Sequence, residues 1–122
     1  MKFVLDVGNC SPDHASIKRL IQAKFSADVV QADAAEDALV KLRAGNFDLV
    51  LINRKLDCDY SDGIEIIKLL KADEKLSTIP VMLITNYADH QDAAVQLGAL
   101  RGFGKLEFNS VETDNKLRAV LG

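Results

Sequence analysis

The sequence predicts an α/β fold in which a parallel sheet is covered by helices on both faces. Five short apolar runs alternate strictly with helix-patterned stretches, with no linker, repeat or low-complexity tract between them. The run Phe47-Asp48-Leu49-Val50-Leu51-Ile52-Asn53, bounded by Gly45-Asn46 and Arg54-Lys55, is short and continuously apolar at its centre. It reads as a strand buried on both faces. Helix-opening signals, Ser11-Pro12 and Asp62-Gly63, follow the first and third runs.

Taken in order, Lys2 to Val7 is the first strand. Ser11-Pro12-Asp13 opens a helix, with Ser11 as cap and Pro12 at the first helical position, where a missing N–H is no loss. Ile17, Leu20, Ile21 and Phe25 give it one apolar stripe. Asp28 to Gln31 is a short second strand. Asp33 and Glu36 are spaced like a capping box for a second helix, whose inward face is Ala35, Ala38, Leu39 and Leu42 and whose end is Gly45. After the central strand, Asp57 to Ser61 is a polar loop. A third helix runs from Asp62-Gly63 through Ile64, Ile67 and Leu70 to about Lys71. Ile79 to Thr85 is the fourth strand, its proline confined to the start. Asn86 to Leu97 is a shorter helix stopped by Gly98, Leu100 to Gly104 a fifth strand weakened by two glycines, and Asn109 to Leu121 a last helix capped by Asn109 or Ser110.

At 122 residues the chain is expected to be a single domain, residues 1–122, able to bury a core without disulfide or metal staples. A net charge of -3 with basic and acidic residues interleaved leaves no basic face for nucleic acid. No apolar run approaches the roughly 20 residues that span a bilayer. Phe3-Val4-Leu5 is cut short by Asp6 and Gly8-Asn9, so no secretory signal is read. A cytoplasmic home, with Cys10 and Cys58 reduced, is the expectation.

The central strand ends on Asn53, a polar side chain at the sheet edge where open α/β folds place their ligands. Taken with Pro12 after the first strand, Asp62-Gly63, the strand from Pro80 to Thr85, and Gly98-Ala99 six residues before Lys105, the chain resembles a response-regulator receiver domain over nearly its whole length. The resemblance implies a flavodoxin-like sheet of order 2-1-3-4-5. It also implies a site in which an aspartate ending the third strand takes a phosphoryl group from a histidine kinase, two acids after the first strand hold Mg²⁺, and a hydroxyl and a lysine end the fourth and fifth strands. By position the acids fall on Asn9 and Cys10, the phosphoacceptor on Asn53, the hydroxyl on Thr85 and the lysine on Lys105. Only the last two match.

An acyl phosphate needs an anionic oxygen nucleophile, which an amide lacks. Mg²⁺ wants hard carboxylate ligands, whereas Asn9 and Asn53 offer neutral carbonyls and Cys10 a soft thiol. The expectation is a pseudo-receiver that accepts no phosphoryl group and has lost Mg²⁺. Losing both upstream acids along with the acceptor points to native divergence rather than an engineered silencing. Leu106 stands where the family has a cis proline, so a trans bond is expected there. Gly102 stands where the family often has a switching aromatic. Asp6, about 10 Å back from the rim at 3.3 Å per residue, reads as out of reach, and Asp57 and Asp59 as poor substitutes. His14 and His90 read as solvated.

The functional expectation is therefore a non-enzymatic signalling module acting by protein contact. Its surface is the face of fourth helix, fifth strand and fifth helix that the resemblance implies, with Leu100, Arg101, Phe103 and Leu106 as contacts. A histidine kinase or an output domain is the expected partner, and a chain ending just past the fifth helix is compatible with such a domain following. Alternatives are a ligand sensor built on a pocket made weakly cationic around Lys105, a redox sensor pairing Cys10 with Cys58, and a regulator phosphorylated on another acid.

Overall fold

Leu49 and Leu51 pack on one face of the sheet, and Val50 and Ile52 on the other. That is the two-residue strand period with both faces covered. The computed structural model describes residues 1–122. Its elements are β1 (Lys2–Val7), α1 (Ser11–Lys24), β2 (Ala27–Ala32), α2 (Ala35–Ala44), β3 (Leu49–Asn53), α3 (Gly63–Ala72), β4 (Val81–Ile84), α4 (Ala88–Gln96), β5 (Leu100–Phe103) and α5 (Val111–Leu121). The strands form one parallel sheet in the order β2-β1-β3-β4-β5, as expected, with Leu5 opposite Val30 on one side and Val50 on the other.

Two cores sandwich the sheet. Val4, Leu51, Met82, Ile84 and Phe103 meet Ile17 and Ile21 of α1 and Leu117 and Leu121 of α5. Leu5, Val7, Ile52 and Leu83 meet Ala38 and Leu42 of α2, Ile67 and Leu70 of α3, and Ala94 of α4.

Local chemistry revises three expectations. Cys10, not Ser11, is the N-cap of α1, and Pro12 lies within the first turn. At α2 the Asp33/Glu36 box gives way to Asp37, whose carboxylate accepts from the backbone N–H groups of Asp33 and Ala34 at 2.7 Å each. Both N–H groups precede the first helical bonds, so Asp37, four residues after the first and three after the second, captures them. Phe103 is fully buried in the α1/α5 core and is not a surface contact, whereas Leu100, Arg101 and Leu106 are exposed. By contrast Asp62 caps α3 through Ile64 N–H, and Ser110 caps α5 through Thr113 N–H, as read. The peptide bond before Leu106 is trans, like every other.

The β4–β5 ladder shifts register between Met82 and Ile84. Gln91 of α4 fills the gap: its amide donates to the carbonyls of Leu83 (2.9 Å) and Thr85 (3.3 Å), and its carbonyl accepts from Gly102 N–H at 2.8 Å. A Cβ at Gly102 would collide with the Leu83 carbonyl oxygen. The position of the family's aromatic is thus closed, and a buried amide occupies the neighbourhood.

Candidate functional site at the carboxyl edge of the sheet

Asn53 ends β3 as anticipated, and its side-chain amide donates to the carbonyl of Lys55 at 2.6 Å. That bond ties the strand tip to the turn leading into α3. Thr85, just past β4, is buried; its hydroxyl lies 3.1 Å from His90 Nδ1 and accepts from Tyr87 N–H at 3.3 Å. His90 is therefore a partner of the rim rather than a solvated side chain. Asn53, Thr85 and Lys105 line one cleft with Arg54, Lys55, Ile84, Asn86, Tyr87 and His90, about 500 Å³ in volume. Asn9 and Cys10 lie outside that lining.

The β1 side departs further from expectation. Asp6 is completely buried and is not isolated from the rim. Asn9 Nδ2 donates to its Oδ1 at 2.5 Å, and His14 Nδ1 lies 2.8 Å from its Oδ2. Asp6 is nearer the rim than about 3.3 Å per residue implies, because the chain does not continue extended past Val7. Gly8 takes φ +80, a left-handed turn that folds Asn9 back over the strand end. His14, held in the first turns of α1, is therefore an Asp6 partner and not a solvated residue. Burial raises the Asp6 pKa above its ordinary 3.8, with the bonds from Asn9 and His14 and the charge of Lys105 opposing the rise. Asn9 Oδ1 is buried and has no hydrogen-bond partner in the protein.

Lys105 is not free either. Its ammonium lies 2.7 Å from Asp13 Oδ2, and Cys10 Sγ donates to the same oxygen at 3.2 Å. The Lys105 bond holds the Asp13 carboxyl below its ordinary range, with burial opposing. The strand-end pattern gives this lysine no acidic neighbour; the first turn of α1 supplies one in Asp13. The signals were present: Gly8 after a strand permits a turn, and a buried carboxylate demands donors from nearby polar residues.

Cys10 and Cys58 are both free thiols with different neighbours, Asp13 for the first and the Asp33 carbonyl, at 3.4 Å, for the second. Asp57 and Asp59 sit exposed on the loop after β3, and Asp59 is engaged by Ser61. No group of three or more His, Cys, Asp or Glu side chains converges as a metal site. No helix is long and apolar enough to cross a membrane.

Residues 12–106 match the response regulator receiver domain model. The chain belongs to that family. Receivers are modules of two-component signal transduction rather than enzymes of the ordinary kind, and they typically interact with kinases or output proteins. This receiver is similar to the chemotaxis protein CheY of Pseudomonas aeruginosa, at 29% identity over 119 residues covering 96% of this chain and 94% of that protein. Solved receivers share the fold. Chemotaxis protein CheY4 of Vibrio cholerae matches with a TM-score of 0.81 at 20% identity, covering 99% of both chains. TrrA of Thermotoga maritima, solved in complex with Mg²⁺-BeF, matches with a TM-score of 0.80 at 24% identity, covering 99% of this chain and all of that one.

Proposed function

We propose that this receiver signals without an aspartyl-phosphate switch, as a module that acts by protein contact. The observation that carries the reading is the commitment of Asn53: its amide is spent on the Lys55 carbonyl, and an amide nitrogen does not attack phosphorus. The donor set does not fit Mg²⁺ either. Both Asp6 oxygens are engaged by Asn9 and His14, Asp13 is held by Lys105, and the positions the family uses carry two amides and a thiol.

The contact surface in this reading is the α4–β5–α5 face. Val95 and Leu100 are exposed there, beside the Arg101–Asp92 ion pair at 2.7 Å. Phe103 supports that face from beneath. A kinase or an output domain is the partner. The test is an amide-shift experiment on ¹⁵N-labelled protein titrated with Mg²⁺ and beryllofluoride. The expected result is no saturable shift at Thr85, α4 or β5; a saturable shift there would overturn the reading.

A further inference from the structure

Between the start of α2 and the outer side of α3 the surface opens into a cleft of about 260 Å³. Leu56 and Ile66, buried in the core that α2 and α3 share, form its floor, and Leu69, 49% exposed, carries the apolar surface outward. One wall is the loop after β3, and that loop is tied down. Asp57 N–H donates to the Gly8 carbonyl at 2.8 Å, Leu56 N–H donates to the Ser61 carbonyl at 2.9 Å, and Lys55 pairs with Asp62 in an isolated antiparallel bridge. The cleft is therefore preformed.

Its rim is acidic. Glu36, Asp59, Asp62 and Glu65 line it, and no Lys, Arg or His does. Asp62 and Glu65 already have cations, Arg54 at 3.5 Å and Lys68 at 3.4 Å. Glu36 and Asp59 form no ion pair, so two uncompensated carboxylates flank exposed apolar surface.

These features select the occupant. Sites for small organic ligands run from about 300 to 1,000 Å³, and this cleft is smaller, with room for one side chain. The acids do not converge as a metal site. A second copy of the chain would bring a net charge of -3 to a rim that is already negative.

We propose that this cleft docks a basic segment of a partner protein, with one aliphatic side chain on Leu56, Ile66 and Leu69 and flanking Lys or Arg side chains on Glu36 and Asp59. The apolar floor supplies affinity, and the acidic rim selects the sign of the partner and rejects acidic segments. This surface belongs to α2 and α3, whereas the contact face proposed above belongs to α4, β5 and α5, so either can fail without the other.

The experiment is an amide-shift titration of the ¹⁵N-labelled protein with three end-blocked peptides, KKLKK, KKGKK and EELEE. KKLKK is expected to give saturable shifts at Ala35, Glu36, Asp59 and Leu69, and to bind about tenfold more tightly than KKGKK, the scale of one buried aliphatic side chain. EELEE should give no saturable shift. Glu36→Gln should weaken KKLKK about twofold to fivefold, the range of a solvent-exposed charge pair. Leu69→Lys, a change at an exposed position that puts a cation in the cleft, should abolish saturation while the rest of the amide spectrum keeps its dispersion. Equal affinity for KKLKK and KKGKK, saturable binding of EELEE, or a Leu69→Lys protein that binds like the wild type would each overturn the proposal. So would concentration-dependent shifts of the same residues without peptide, which would assign the cleft to a second copy.

Discussion

Gln91→Leu is expected to destabilise the domain by about 2–5 kcal/mol, the cost of leaving two or three buried backbone groups without partners. Leucine fills similar space, so the loss is not a cavity effect. The carbonyl of Leu83 and the N–H of Gly102 lie where the β4–β5 ladder shifts register, and Gln91 satisfies both. Water cannot readily take over, because Gln91 is only 5% exposed. Gln91→Glu should be nearly as damaging: it keeps an acceptor for Gly102 but turns a second acceptor toward the Leu83 carbonyl. Urea unfolding of the three proteins measures this. A Leu variant within about 0.5 kcal/mol of wild type, the range of ordinary surface substitutions, would show that the amide does not bridge the bulge. The same bridge fixes α4 to two strands beneath the proposed contact face.

Asp6→Ala is expected to cost about 2–4 kcal/mol, because it strips partners from Asn9 and His14 inside the protein. Asp6→Asn should be far milder. The new amide can donate to Asn9 Oδ1, which has no partner in the wild type, once the Asn9 amide turns over, and its carbonyl can accept from His14.

The two variants also differ from the wild type in pH dependence. Asp6 has a folded pKa above its ordinary 3.8, so the folded state holds that proton more tightly than the unfolded chain. The stabilisation from this group is present in full below 3.8 and is lost as the pH rises through the folded value. Asp13, Asp37, Asp59, Asp73 and Asp114 are shifted downward and act with the opposite sign, losing their stabilisation on acidification. Those groups are common to both proteins. The stability of wild type relative to Asp6→Asn should therefore fall as the pH rises from about 4, measured by urea unfolding across the acid range. A difference that stays flat would show that burial does not govern this carboxyl.

Much of the fold was legible because the signals were local. β3 announced itself by an uninterrupted apolar run, and its side chains do divide between two covered faces. Asp62 and Ser110 cap their helices through spacings visible in the sequence. The site was legible only in its positions. Resemblance put Asn53, Thr85 and Lys105 at strand ends, and the structure gathers them in one cleft. Their partners were hidden because those arise from turns and long-range packing: His90 meets Thr85 across the β4–α4 turn, and Asp13 meets Lys105 from α1, far away in sequence. Asp6 was misjudged for a related reason. Its distance from the rim was counted along an extended chain, and Gly8 makes the chain turn. Phe103 was placed outside because strand alternation does not say which face of an edge strand a helix covers; α5 covers it here.

The central claim is that a rim with an amide at the β3 tip, and with its nearest carboxylates already engaged, accepts no phosphoryl group. Intact-mass measurement after incubation with Mg²⁺ and acetyl phosphate tests it most directly. The account predicts the unmodified mass at every time point. One stable phosphoryl addition, mapped to Asp13, Asp57, Asp59 or any other side chain, would contradict it.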